Sequence, residues 1–354
     1  MMTEVRVLKV GILHRHDWPK SYLALWEAGI RPPLLPGDPS GAGATWRSQT
    51  INTTAASLGR WIFFLREQDG FDEGASPEQL VTPDRLRAYL EHLAGHNRPA
   101  TVLHRIIGLE RGLAVLAPGS DRSLLRLIIS NLEKDYDAVS KRERLQEAAA
   151  LVELGFALRQ RGVAKGIGRL RNSTLFRDGL QISLLAMRPL RLKNFSAIRI
   201  GRQLIPHGTS WAFDFKGHEM KNHRPIDPIF PEKLVGPMKD YIEIHRRIIV
   251  DGRYDGDALW VSSRSQPQSA ITIRHQLCKW TKEAFGLPIT PHLFRDCAAT
   301  SLAVHSPEEV QIAHLILGNT YAVMQKHYNL ARVVEAACTY HGALERLCTS
   351  LAVE

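Results

Sequence analysis

The apolar residues of this chain keep a helical period over most of its length and drop to a period of two in one stretch, which bounds the folds open to it. From Thr45 to about Leu132 they return every three or four positions. Leu58, Trp61, Ile62 and Leu65 form one stripe, Leu86, Leu90 and Leu93 a second. Leu103, Ile106, Ile107, Leu109 and Leu113 form a third, and Leu124, Leu125, Leu127 and Ile128 a fourth. Such recurrence is the mark of amphipathic helices. Thr82-Pro83 supplies one of their starts, an N-cap followed by proline at the first helical position. Four or five short helices in about 90 residues make a small all-α domain. Between residues 196 and 230 the period becomes two. Ser196–Gly201 and Trp211–Phe215 alternate as strands, and the prolines of Arg224–Phe230 fit an edge strand. Lys216–His223 reads as the turn between the last two. Past Pro231 the helical period returns, apart from a short run at Ala258–Ser262. The expected class is α+β, mostly helical, with a small antiparallel sheet.

Three borders follow. Residues 1–44 close on Arg31-Pro-Pro-Leu-Leu-Pro-Gly-Asp-Pro, an extended connector preceded by an arm or a small extra element. Residues 45–132 are the helical domain, 133–142 a highly charged linker, and 143–354 a second domain with a C-terminal tail. The second domain opens on a helix running through Leu145, Ala149, Leu151 and Leu154. A chain of 354 residues is long enough for two such cores.

Charge narrows the partners. There are 46 Lys and Arg against 36 Asp and Glu, a formal charge of +10. A cationic surplus favours a polyanion, because each neutralised phosphate releases condensed counterions. The local imbalance says more. Between Arg159 and Arg202 the single acid is Asp178, while Arg169, Arg171, Arg177, Arg188, Arg191, Lys193 and Arg199 are among the bases. Phosphate contacts need bases gathered on one surface in this way. The four cysteines, Cys278, Cys297, Cys338 and Cys348, form no Cys-x-x-Cys pair, so neither a zinc site nor a disulfide framework is expected. His314 and His327 have no carboxylate or thiol cluster beside them, and no bound metal or cofactor is expected. Signal-peptide layout and membrane-length apolar runs are absent, which leads to the expectation of a cytoplasmic protein.

The residues that carry chemistry lie near the C-terminal end. Thr290-Pro-His-Leu-Phe-Arg starts a helix that places His292 and Arg295 on one face. Ser306-Pro-Glu-Glu opens another with a capping box, and that helix stops at Gly318. A last helix carries Tyr321, Met324, His327 and Tyr328.

His292-Leu-Phe-Arg295, Leu317-Gly318-Asn319 and Tyr328 nine residues later resemble the ordered landmarks of the tyrosine recombinases, and of bacterial mobile-element integrases among them. Upstream, Leu185-Ala-Met-Arg188-Pro fits the context of that family's first arginine, and Met220-Lys221-Asn its β-turn lysine, with Lys216 a weaker candidate. The likeness spans roughly residues 45 to 335 and implies an all-α core-binding domain joined to a mixed α/β catalytic domain. It also implies a reaction. Tyr328 attacks a DNA phosphate, Arg188 and Arg295 clamp the non-bridging oxygens, His292 assists as base, and Lys221 protonates the departing 5′-hydroxyl. A 3′-phosphotyrosyl bond stores the cut linkage, so neither metal nor ATP is needed. Arg169, Arg171, Arg191, Lys193 and Lys216 are the accompanying DNA contacts. Double-stranded DNA, a tetramer on paired sites, accessory DNA-bending proteins and a bacterial, nucleoid-associated setting are implied with them.

Three positions depart from the family pattern. Asp296 stands where a second His or Lys usually follows the helix arginine, Arg191 where an acid is frequent, and Asn319 where a His or Trp closes the turn. An Asn amide still donates a hydrogen bond, so slowed rather than abolished chemistry is expected. The alternative reading is a catalytically weakened DNA-binding or regulatory protein of the same fold.

Overall fold

The computed structural model describes residues 10–306 apart from 36, 38–39, 69, 135–141, 165, 167 and 218–228, together with 341 and 344. The chain divides into two compact units, Met1–Val139 and Ser140–Glu354.

The first unit is all-helical among its described residues: α1 (Lys20–Ile30), α2 (Ser48–Glu67), α3 (Pro83–His96), α4 (Pro99–Leu116) and α5 (Ser123–Lys134). Thr82 caps α3 as its sequence requires, its hydroxyl accepting from Arg85 N at 3.4 Å. The stripes expected from the sequence converge: Leu58, Trp61, Ile62 and Leu65 of α2 pack with Leu86, Leu93, Ile106, Leu109, Leu113 and Leu125. The aromatic centre is Trp61 edge-on to Tyr89, with centroids 5.0 Å apart. This core does not begin at residue 45. Trp18, Tyr22 and Trp26 are buried in it, so α1 is an integral helix of the unit rather than part of an arm. It was hard to read because Lys20–Ile30 runs directly into the proline-rich stretch that follows it and has only three buried positions.

The second unit is built around α7 (Leu170–Met187), which is buried on nearly every side from Asn172 to Ala186. α6 (Ala148–Ala164) packs along it. The two backbones approach so closely that a Cβ on Gly155 would lie 2.6 Å from Gly179 O and 2.1 Å from Ser183 Oγ. A helix buried all round must satisfy its polar groups internally. Arg177 pairs with Asp178 at 2.6 Å, donates to Val261 O at 2.7 Å, and Trp280 Nε1 donates to Asp178 at 3.0 Å. Arg177 therefore belongs to the interior and leaves the expected basic surface. Leu145 precedes α6 instead of lying in it.

α8 (Leu192–Ser196) occupies the start of the first expected strand. The sheet is an antiparallel pair, β1 (Leu204–His207) and β2 (Ser210–Phe213), in register Leu204↔Phe213 to His207↔Ser210. The alternation at 198–200 is nevertheless physical. Ile198 is buried, and this stretch bonds to the 257–259 run through Leu259 N to Ile198 O at 2.9 Å and Ile200 N to Asp257 O at 2.8 Å. It makes one isolated bridge there, Arg199 with Ala258, instead of a ladder strand. Ile229 bridges Ala212, while the rest of the expected edge strand lies outside the described residues. A π-turn, Tyr241–His245, joins α9 (Val235–Asp240) to α10 (Arg246–Val250). α11 (Ala270–Phe285) and α12 (Pro291–His305) complete a mostly helical α+β unit. No described helix is long and apolar enough to cross a membrane.

Candidate active site

α12 begins as its sequence dictates, with Thr290 in extended geometry at the cap and Pro291 in the first turn. The first bond is tight, Leu293 N to Thr290 O at 2.8 Å, and it fixes the direction in which the next two polar side chains leave the helix. His292 is exposed. Arg295 is 5 % exposed, and its Nη1 donates to the carbonyl of Pro189.

That carbonyl belongs to a turn shaped by the end of α7. Arg188 is the C-cap, its amide bonding Leu184 O at 2.7 Å, and Leu190 N closes back on Arg188 O at 2.7 Å around Pro189. The proline cannot continue the helix, so the chain reverses here and enters α8 with Arg191 at the cap. Arg188 is 6 % exposed. The hydrogen bond from Arg295 thus fastens α12 to the residue next to Arg188, and both arginines stand at one junction of α7, α8 and α12.

Arg191, Leu192, Arg274, Thr290, Pro291, His292 and Arg295 line an open cavity of about 640 Å³ at this junction. Its electrostatics are cationic. Burial first, then the neighbouring charge of Arg191, pulls the Arg295 guanidinium down to about 10, with Asp296 opposing. Burial also lowers Arg191. Guanidinium groups around one hollow make it a receptor for a planar or tetrahedral oxyanion, which relieves their repulsion and takes bidentate bonds from them.

The sequence-predicted residues divide into groups. His292 and Arg295 line the cavity, and Arg191, expected among the DNA contacts, joins them as a wall. Arg188 is buried in the turn next to it and is not a lining residue; Arg295 reaches that turn through the Pro189 carbonyl. Lys193 is exposed on α8 one residue from Leu192. Lys216 is exposed and bonds Asp214 at 2.8 Å. Arg169 and Arg171 are exposed at the start of α7. Arg171 lines a different hollow of about 220 Å³ with Arg161, Lys279 and Trp280, so it is not a wall of the first. Lys221, Asn319 and Tyr328 lie outside the described residues. Among the described residues no group of three or more His, Cys, Asp and Glu is gathered in a way that could hold a metal ion.

Arg274 is the lining residue that sequence reasoning missed. Ile273 and Leu277 face the core from α11, which puts Arg274 on the outer side of that helix. Nothing local says that this outer side meets the start of α12. The only available signal was a lone base on an amphipathic helix, and such a base is ordinarily just solvated.

No family model matches the sequence, and no curated protein matches it. Solved structures do. A XerH site-specific recombinase bound to palindromic difH substrate, in a post-cleavage complex, is 12 % identical with a TM-score of 0.58, over 83 % of this chain and 80 % of that one. The pre-cleavage complex of XerH with difH substrate is 13 % identical with a TM-score of 0.55, over 82 % and 79 %. At such identities the likeness is one of fold. The chain has the fold of a site-specific recombinase.

Proposed function

We propose that this protein is a tyrosine-type site-specific DNA recombinase, an integrase that breaks and rejoins duplex DNA through a 3′-phosphotyrosyl intermediate at Tyr328. The observation that carries the reading is the cationic cavity, where Arg295 and His292 of α12 and the Arg188 turn of α7 meet at one junction. The XerH fold, found in complexes with a difH substrate, supports the same class of activity.

The chemistry needs little more than positioning and charge. A phenolate attacking a phosphodiester passes through an arrangement in which charge spreads over the non-bridging oxygens. Arg188 and Arg295 stabilise that charge, Arg295 from a buried position where its interactions are least diluted by water. The Tyr328 oxygen forms the new bond to phosphorus as the bond to O5′ breaks. His292 accepts the phenolic proton and Lys221 supplies one to O5′. Asn319 donates to a phosphate oxygen. A 5′-hydroxyl from another strand reverses the steps, so the bond energy is conserved and neither metal nor ATP takes part. Arg191 and Arg274 hold the flanking backbone, and Lys193, Lys216, Arg169 and Arg171 extend the contact. The working form is a tetramer on paired sites, aided by DNA-bending proteins in a bacterial cytoplasm and belonging to a mobile element.

The substitutions at Arg191, Asp296 and Asn319 favour a second reading, in which the same fold occupies DNA without efficient cutting. Duplexes carrying single nicks, tiled across the DNA that flanks the gene, separate the two. Recombinase activity yields a covalent protein–DNA adduct, insensitive to EDTA and lost in Tyr328→Phe. Binding without adduct formation overturns it in favour of the regulatory reading.

A further inference from the structure

The helix that carries His292 and Arg295 is held from behind by the stretch leading into α6. Arg144 donates twice to the Pro288 carbonyl, from Nε at 3.2 Å and Nη2 at 2.7 Å. Gln146 N bonds Cys297 Sγ at 3.3 Å. Ala148 N bonds Ser301 Oγ at 2.8 Å. Glu147 then receives two partners on one oxygen, Ser301 Oγ at 3.2 Å and His305 Nε2 at 3.1 Å.

These contacts have a register. Cys297, Ser301 and His305 are spaced four apart, so they form a single stripe down α12. At about 100° per residue, the stripe lies roughly 150° around the axis from the direction shared by His292 and Arg295. One face of α12 therefore looks into the cavity and the opposite face is bonded along its length. Arg144 adds a grip just ahead of the helix, two residues before the Thr290 cap. The intervening Ile289 is fixed to α11, its amide bonding Thr281 Oγ1 at 2.9 Å.

We propose that residues 144–148 form a backing strap, and that Arg144, Glu147 and Ser301 are positioning residues which set the axial placement and rotation of α12, and through it the aim of His292 and Arg295. The proposal rests on the recombinase reading for its consequence, but its mechanical content stands apart from it. Ser301 is the pivot: its hydroxyl accepts from the strap amide and donates to the strap carboxylate, linking both sides at mid-helix. In-line displacement tolerates little misplacement, since a shift of about 1 Å can cost roughly 10²-fold in rate. A strap that holds the rear of the helix governs rate more than DNA affinity.

The test uses the full-length protein with Arg144→Ala, Glu147→Gln and Ser301→Ala, and Ser301→Thr as the rescue that keeps the hydroxyl. Amide hydrogen exchange across 291–305 is read beside exchange in α7. The rate of adduct formation at saturating DNA is read beside affinity for the nicked duplex that traps the wild-type protein. Each deletion raises exchange in 291–305 about tenfold over that in α7. Each also slows adduct formation about tenfold at unchanged DNA affinity, and Ser301→Thr restores both. Unchanged exchange in 291–305, an equal rise in α7, a loss confined to affinity, or a rate that does not follow exchange overturns the strap. If wild-type protein forms no adduct on any duplex, the recombinase reading fails and the exchange pattern alone decides whether the strap exists.

Discussion

Arg295 is the residue whose removal should make the empty protein more stable. Its side chain is 95 % buried, and burial together with the charge of Arg191 brings its pKa from the usual 12.5 to about 10. A fall of that size corresponds to about 3 kcal/mol against the charged form. The group is protonated at pH 7 in folded and unfolded chains alike. The penalty is therefore present at every pH below about 10 and is relieved only as the folded group loses its proton. Arg295→Met keeps an unbranched apolar stem and removes the charge. The losses on the other side include the donor to Pro189 O, a buried acceptor whose orphaning costs about 1–3 kcal/mol. The net expectation is a gain of up to about 2 kcal/mol for the second unit, at roughly 2–4 °C of melting temperature per kcal/mol for a unit of this size. Thermal unfolding of the full chain, followed through hydrogen exchange of α7 amides, measures that unit by itself. Inorganic phosphate or duplex DNA should reverse the ranking. At a hundred times its Kd an anion adds about 2.7 kcal/mol to the wild type, enough to overtake the variant, and it adds far less once the guanidinium is gone. A variant less stable by 1 kcal/mol or more without anion would refute the reasoning, because Arg295 would then be a structural peg rather than a charge held against its own cost.

Four further outcomes can be checked. Gly155→Ala should destabilise the second unit by about 1–3 kcal/mol in urea melts, because its methyl would sit 2.6 Å from the backbone oxygen of Gly179 and force α6 off α7. Gly95→Ala, with nothing near its Cβ, should be neutral or slightly stabilising. His245 is buried against Phe176, 3.9 Å between centroids, and bonds Ser173 Oγ at 3.1 Å; burial lowers its pKa although Asp240 opposes. Below the unfolded value of about 6.5 the unfolded chain binds the proton more readily, so stability is full above that pH and is lost as pH falls through the folded pKa. His245→Phe should flatten that loss in melts between pH 7 and pH 5, and an unchanged slope would clear the histidine. Arg274→Ala should lower the slope of log affinity against log salt for duplex DNA by about 0.9, the signature of one lost phosphate contact. An identical slope would place Arg274 away from the backbone.

How much was legible depended on whether a feature is local. The Thr82 and Thr290 starts and the stripes of α2 to α4 were readable because capping and period act over a few residues. His292 and Arg295 share a helix and were found together for the same reason. The first strand was misplaced because alternation at 198–200 marks extended backbone whether it forms a ladder or single bridges to residues 257–259. Arg177 was counted as a surface base because a sequence gives no sign that its neighbour Asp178, the Val261 carbonyl and Trp280 close around it. Arg274 and the 144–148 strap were invisible, since each depends on segments far apart in the chain meeting at one helix.

The two faces of α12 explain how such a site can persist at all. Like charges gathered around one hollow repel one another, and a helix free to shift would relax by swinging the buried Arg295 outward. Two kinds of contact resist that motion: the bond from Arg295 to the Pro189 carbonyl in front, and the line of bonds to residues 144–148 behind. Arg191 makes the restraint more necessary. An acid at that position would neutralise part of the cluster, whereas arginine adds to it and depresses the proton affinity of Arg295. Arginine at 191 therefore makes the cluster costlier to hold together, a cost that an anion placed among the guanidinium groups would offset. On the proposed recombinase reading, preorganisation of this kind transfers the cost of arranging the charges from the reaction to the folding of the second unit, so stability and anion affinity should move in opposite directions when Arg295 is neutralised.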